Sequence, residues 1–201
     1  MILPQSFYLR DDVLKISKEL LGKVLVTKID WVITSGKIVE VEAYAWVWDK
    51  ASHAFGWRNT VRTAPMFGIW WMTYVYLIYG IHHLLNVVTN DHGTPHAVLI
   101  RWIEPIEWID IMMKRRNKKT YDTTLTAWPW ALAQALGIHI RHTNLSLQWP
   151  EIRIEDRGEH IDPSWIVAWS RVGVAYAWED AKLPYRFWIK NNPFVSKAKG
   201  L

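Results

Sequence analysis

Apolar and polar positions along the chain change period several times, and each change marks an element. Leu14, Ile16, Leu20 and Leu21 form a rough apolar stripe behind Asp11 and Asp12. Either acid can cap a helix running to Leu21, with Gly22 as its stop. Lys23 to Lys28 reads as a short apolar strand, Asp30 to Gly36 as a turn, and Lys37 to Tyr44 as a second strand. Ala45 to Phe67 is a long loop containing His53, Arg58 and Arg62, and loops of that length are often functional. Thr73 to Ile78 and Leu84 to Thr89 are β-rich runs joined around Tyr79-Gly80-Ile81-His82-His83, which predicts a hairpin. Asn90 to Gly93 reads as a polar turn and Ala97 to Ile103 as an apolar strand. A helix is predicted from about Pro105 to Arg116, followed by a basic loop. Trp130 to Leu136 reads as another helix, with Pro129 near its first position and Gly137 after its end. Ile152 to Glu155 and Arg186 to Lys190 read as short strands. No repeat or domain boundary interrupts residues 1–201.

Composition narrows the classes. Half of the 201 residues are hydrophobic, enough for a core. The formal net charge of +5 favours an anionic partner, nucleic acid first. With no cysteine, disulfides, thiolate chemistry and Cys-based zinc sites are excluded. The first residues lack the basic and apolar regions of a signal peptide. The most apolar window, residues 69 to 85, is interrupted by Thr73, Gly80, His82 and His83. It is also shorter than the roughly 20 residues of a spanning helix. A soluble protein without membrane association is expected, cytoplasmic and nucleoid-associated in a bacterial-type cell or nuclear in a eukaryote.

Glu40 and Glu42 stand at the two-residue spacing that puts strand side chains on one face. An isolated pair of this kind reads as solvated strand residues, or as the paired carboxylates of a glycosidase. Their neighbours shift the balance. Tyr44, His53, Tyr76 and further aromatics follow within a short span. Aromatic rings grip a base by stacking, at ~1–3 kcal/mol per base, and a cationic alkylated base gains more by cation–π attraction. Water is a poor nucleophile at a sugar C1′, so a carboxylate is needed to orient and deprotonate it. This chemistry needs no cofactor or metal. His82, His83, His92 and His96 form no recognised ligand motif, and no P-loop, dinucleotide fingerprint or nucleophile elbow is present.

The motifs that carry this chemistry match a known family. Ile-Val-Glu-Val-Glu-Ala-Tyr (38–44), Ala51-Ser52-His53, Met66-Phe67-Gly68, Tyr-Val-Tyr-Leu-Ile-Tyr-Gly (74–80), Leu85-Asn86-Val87, Val-Leu-Ile-Arg (98–101), Leu-Ala-Gln-Ala-Leu-Gly-Ile (132–138), Arg-Val-Gly-Val (171–174) and Leu-Pro-Tyr-Arg-Phe (183–187) run in order. In this the chain resembles the 3-methyladenine (alkylpurine) DNA glycosylases of the mammalian-type alkyladenine family, along nearly its whole length. The resemblance implies one α+β domain with a curved, mainly antiparallel sheet, flanking helices and a protruding hairpin. It implies a monofunctional, monomeric repair enzyme acting on double-stranded DNA that contains damaged purines.

Residue by residue, the resemblance assigns water activation to Glu42. Arg101 and the backbone carbonyl of Val172 would help hold the water and the flipped nucleotide. Tyr44 and His53 would line one side of the base pocket, with Tyr76 stacked on the other. Asn86 would exclude the exocyclic amine of guanine. Tyr79 would fill the gap left by the flipped base, and Arg58 and Arg62 would meet phosphates. Competing readings are a catalytically silent DNA-binding variant with its pocket filled by indoles, and a non-enzymatic nucleic-acid or protein module.

The chain departs from the family in its tryptophans. It has fifteen Trp, against ten Gly. Trp46, Trp48 and Trp57 flank the pocket loop, and Trp70 and Trp71 precede the Tyr74 strand. Trp128-Pro129-Trp130 stands where the family has a Ser-Gly-Pro-Gly-like turn, and Trp178 and Asn191 replace expected glycines. Where those positions need φ > 0, an indole is strained by ~1 kcal/mol or more. The pattern suggests an engineered or computationally generated descendant of a family template.

Overall fold

A computed structural model describes residues 1–68 and 71–196, so Trp70 lies outside the described residues. One mixed set of elements surrounds a central antiparallel sheet. After a single turn of helix at Gln5–Tyr8 (α1) comes α2, Val13–Leu20. Asp12 caps α2 by accepting the Lys15 N–H, and Val13, Ile16 and Leu20 turn into the core. Strands β1 (Val24–Ile29) and β2 (Val32–Tyr44) follow as a hairpin. The turn between them is only Asp30-Trp31. The expected Asp30–Gly36 turn is therefore shorter, because Val32 to Gly36 pairs along β1 in place of looping out.

Strand β2 is the axis of the sheet. Its first half bonds β1, its residues Glu40 to Glu42 bond β8 (Arg186–Ile189), and β5 (His96–Glu107) covers its opposite edge. The path runs β3 (Thr73–Ile78), β4 (His82–Thr89), β5, β2, β1, β6 (Ile152–Glu155), with β7 (Ile166–Trp169) attached through β8. Every pairing is antiparallel. The β2–β5 register slips at Ser35/Gly36 and on both sides of Glu40. At Gly36 a Cβ would stand 2.6 Å from Ile103 Cδ1 and 3.0 Å from the Glu104 carbonyl oxygen, so a side chain there would force Ile103 and the strand contact to shift.

Helix α3 is Ile109–Arg115, several residues later than expected, because β5 continues through Pro105 to Glu107. Pro105 is admitted there since β4 pairs only with the other end of β5, and one edge needs no donor. Helix α4, Pro129–Leu136, matches its sequence signals, and Gly137 closes it at φ 76. It packs against β4 and β5, while α2 packs against β2. β7 was not read from sequence. Its side chains are half-buried or exposed, which leaves no two-residue alternation to detect.

The tryptophan positions have a backbone signature. Trp31, Trp46, Trp57, Trp71, Trp108, Trp128 and Trp178 all have φ between 56° and 76°. Asn191 does too, at φ 60°, whereas Trp48 and Trp130 do not. Among the tryptophans that depart from the family, Trp46, Trp57, Trp71, Trp128 and Trp178 therefore have the left-handed backbone that strains an indole, whereas Asn191 is a residue type that tolerates it.

Candidate active site

The centre of β2 places two carboxylates where strands press from both sides, and both Glu40 and Glu42 are 0% exposed. Charges this deep persist only when paired and hydrogen-bonded. Arg101, on the neighbouring β5, supplies both needs. Its Nε donates to Glu40 Oε1 at 2.8 Å and its Nη1 lies 3.1 Å from Glu42 Oε1. Burial opposes the Arg101 charge, but Glu42 and Glu40 outweigh it and hold the guanidinium above its ordinary pKa. Arg186 on β8 adds a second cation, 3.5 Å from Glu40. Glu42 takes two further donors. The Val172 N–H reaches Oε1 at 2.8 Å, and the Tyr44 hydroxyl reaches Oε2 at 2.9 Å. At Val172 the amide, not the carbonyl, makes the contact with Glu42.

That Val172 amide is held in place from next door. Arg171 is fully buried, grips the Asp49 carboxylate with both Nη atoms and donates to the carbonyls of Ala43 and Asp180. Asp49 in turn accepts the N–H groups of Ala45 and Ala51. One ion pair therefore ties the loop after β2 to the segment carrying Val172. The Arg171 guanidinium also lies 4.9 Å from the centre of the Tyr44 ring.

Beside this centre is a cleft of about 190 Å³, whose lining includes Tyr44, His53, Tyr74, Tyr76, Asn86 and Tyr176. At roughly 30 Å³ per water of liquid volume, it holds a group several waters in size. Glu42 and Arg101 are not in its wall. Tyr44 is the link, since its ring lines the cleft while its hydroxyl meets Glu42. Burial, then the nearby Glu42 charge, raises the Tyr44 pKa well above that of free tyrosine, so the hydroxyl keeps its proton.

His53 Nδ1 lies 3.0 Å from the Tyr74 hydroxyl, and its ring stands edge-on to Tyr76 with centres 4.6 Å apart. Burial, reinforced by Arg62 and Arg58, lowers the His53 pKa to about 4. The imidazole is thus neutral near pH 7, an apolar wall with one polar handle. Asn86 is buried and donates from Nδ2 to the Tyr74 carbonyl at 3.1 Å, which fixes its amide. The guanidinium of Arg62 stands 5.2 Å from the Tyr76 ring centre at the cleft mouth. Arg58 and Arg62, both exposed, line an adjoining open groove with Lys50. Tyr79 caps the β3–β4 hairpin at 86% exposure. The described residues lining the main cleft include no tryptophan. Among the described residues, then, no indole fills the cleft.

The structure thus brings Glu42, Arg101, Val172 and Tyr44 into one bonded group. It brings Tyr44, His53, Tyr76 and Asn86 around one cleft, with Arg62 at its mouth. It adds Tyr74, Tyr176, Asp49 and Arg171, which sequence reasoning did not assign. Tyr74 carried a signal, being two residues from Tyr76 and so on the same strand face. Arg171 stands in the Arg-Val-Gly-Val motif, but its pairing with Asp49 carried no signal, because the two residues are far apart in the chain.

Among the described residues no helix is long and apolar enough to cross a membrane. Residues 6–193 match the methylpurine-DNA glycosylase family profile. A Bacillus cereus (strain G9842) protein named "Putative 3-methyladenine DNA glycosylase" is 46% identical over 202 residues, covering 96% of this chain and 98% of its own. A protein of the same name from Clostridium acetobutylicum is 43% identical over 207 residues, covering 99% of each chain. With relatives this similar along almost its full length, the chain belongs to the methylpurine-DNA glycosylase family, DNA-repair hydrolases that release alkylated bases.

Proposed function

We propose that the protein removes 3-methyladenine, 7-methylguanine and hypoxanthine from double-stranded DNA, using a water activated by Glu42. The observation that carries this reading is the adjacency of two unlike environments. An aromatic cleft fit for a flat ring adjoins a buried carboxylate held by Arg101 and Val172, and Tyr44 belongs to both.

In this reading the damaged nucleotide leaves the stack and its base enters the cleft, against Tyr44, His53 and Tyr76. Extrusion costs a few kcal/mol, least for a damaged or mispaired base. Tyr79 takes the vacated place in the duplex, while Arg58 and Arg62 meet the backbone. The Tyr44 hydroxyl swings aside, and a water takes its place on Glu42 Oε2. Glu42 accepts the proton of that water as its oxygen bonds to C1′. The N-glycosidic bond breaks and its electron pair leaves with the purine. On 3-methyladenine and 7-methylguanine the alkyl group has already placed positive charge on the ring, so each leaves as a neutral base and is a better partner for the rings. Hypoxanthine carries no such charge and takes up a proton from solvent as it leaves. The carboxylate also stabilises the positive charge that grows on the sugar. The neutral His53 does not oppose a cationic base, as an imidazolium would. Asn86 disfavours the 2-amino group of guanine, an obstacle that 7-methylguanine offsets by its cationic ring and weakened glycosidic bond. The enzyme acts as a monomer, without a cofactor, in the compartment that holds the chromosome.

The test is incubation with duplexes carrying one hypoxanthine or one ethenoadenine, with an undamaged duplex as control, followed by assay for abasic sites and for binding. Abasic sites confined to the lesion strands are expected. Tight lesion binding with no base released identifies a binding protein. Equal binding to all duplexes with no release overturns both the catalysis and the recognition.

A further inference from the structure

We infer that Glu40 is a positioning residue for the hydrolytic step, an inference that rests on the glycosylase reading above. Glu40 touches neither the cleft nor the Glu42 side chain in the contacts of this centre, yet it organises what does. Its Oε1 accepts Arg101 Nε at 2.8 Å, and Arg186 Nη1 lies 3.5 Å from the same oxygen. Its Oε2 accepts the Ser196 N–H at 2.6 Å. With Nε held by Glu40, the planar Arg101 fork has one direction left for Nη1, and that direction is Glu42. Glu40 is thus the stop against which Arg101 is set, and it links the C-terminal segment to the carboxylate that activates water. It also balances charge, because two guanidiniums and two carboxylates share an interior from which water is excluded. A misplacement of about 1 Å in such a site costs on the order of 10²-fold in rate.

The test compares wild type with Glu40→Gln, Glu40→Asp and Ser196→Pro on a hypoxanthine duplex. Single-turnover base release, KM, duplex affinity and Tm are recorded for each. Glu40→Gln keeps the size but removes the charge and opposes an amide donor to the Ser196 N–H. It is expected to lower the single-turnover rate by on the order of 10²-fold, with KM and affinity unchanged. Glu40→Asp, which keeps the charge, restores part of the rate. Ser196→Pro removes the amide donor together with the serine side chain, keeps the Glu40, Glu42 and Arg101 charges, and gives a smaller loss of the same kind. It carries the test if Glu40→Gln does not fold. Full base release by a folded Glu40→Gln, or by Ser196→Pro where Glu40→Gln is unfolded, overturns the inference. No release by wild type overturns the glycosylase reading instead.

A second inference rests on the backbone alone. The geometry points to the seven left-handed tryptophans as positions where the source's own ribosomes insert glycine. Left-handed φ is uncommon outside Gly, Asn and Asp, and a bulky side chain there is an outlier. Here one bulky residue type supplies seven cases. Two fall in regions that are almost the preserve of glycine, Trp128 at φ 76, ψ 145 and Trp178 at φ 58, ψ −119. Trp31 follows Asp30 in the two-residue β1–β2 turn with φ 64 after φ 52, the turn that Asp-Gly favours. No left-handed bend calls for indole. Tyr79 at φ 54 is the one other bulky residue with a left-handed backbone among the described residues, and a single codon explains why the rest are all Trp. UGA differs by one base from the Trp codon UGG and by one base from the Gly codon GGA, so a reassigned UGA can be read either way. The gene is expected to carry UGA at these seven positions and UGG at Trp102 in β5 and Trp188 in β8, whose backbone is not left-handed. Peptide masses of the protein isolated from its source should show glycine at the seven. UGG at these positions, with indole masses, overturns the inference.

Discussion

The bonded centre on β2 and the tryptophan-bearing turns beside it were shaped by opposite rules. At the centre each side chain is fixed by several partners from distant segments, and backbone and side chain agree. Glu42 alone is held from β5, from the Arg171–Val172 segment and from Tyr44. At the turns the backbone takes a left-handed path while the side chain, an indole, prefers another. Trp31 and Trp178 are exposed and repay that strain with little packing. The difference teaches where this chain tolerates a poor local fit. It does so at the bends, one residue at a time, and not in the network that holds the carboxylates.

The largest effect should come from cutting the ion pair that supports the centre. Asp49→Ala leaves Arg171 buried without its carboxylate and frees the Ala45 and Ala51 amides. A loss of ~3–5 kcal/mol in unfolding free energy is expected, read by urea titration. A loss below ~1 kcal/mol, the range of surface pairs, would remove the contrast between the two regions.

Next in size are the bends. Trp→Gly at Trp31, Trp128 or Trp178 should each raise stability by ~1 kcal/mol, roughly additively because the sites are apart. Trp48→Gly, at an exposed residue with ordinary backbone, is the control and should bring no gain. Equal gains at Trp48 and Trp178 would assign the effect to removal of exposed indole instead of relief of strain.

Acidification separates the regions by charge. His53, His96 and His142 all have folded pKa values lowered to about 4, by burial first in each case. The folded state therefore binds fewer protons than the unfolded chain, whose histidines titrate near 6.5. Stability is full above that pH and declines as pH falls from about 6.5 towards about 4. For His53 itself, NMR should show no ring titration between about pH 5 and pH 8, the range where an ordinary histidine charges. A midpoint near 6.5 would mean that the cleft wall is wet and open.

The smallest effect on folding should be at the hairpin tip. Tyr79→Ala removes an exposed side chain and should change stability by less than about 0.5 kcal/mol, while weakening lesion-duplex binding. Unchanged binding in a gel-shift titration would take Tyr79 out of the DNA contact.

How much of this was legible in the sequence follows from how local each feature is. Glu42 and Tyr44 sit two residues apart on one strand, and Tyr76 and Asn86 on two strands of one hairpin, so strand period could place them while the family resemblance singled them out as candidates. Helix α4 was legible because Pro129 and Gly137 mark its ends chemically. The end of β5 was not. The run after Pro105 looks helical in isolation, and only pairing with β2 draws it into the sheet through Glu107. The sequence separation of 122 between Asp49 and Arg171 hid the pair that braces the site. Glu40 looked idle for a related reason, since its partners Arg101, Arg186 and Ser196 come from three separate segments.

The central claim is that the held carboxylate of Glu42 does the hydrolysis. Single-turnover release of hypoxanthine by saturating wild type and Glu42→Gln, with duplex affinity measured on the same samples, tests it most directly. The account predicts that Glu42→Gln binds the lesion duplex as wild type does and releases base on the order of 10²–10⁴-fold more slowly. Base release at the wild-type rate by a folded Glu42→Gln would contradict it.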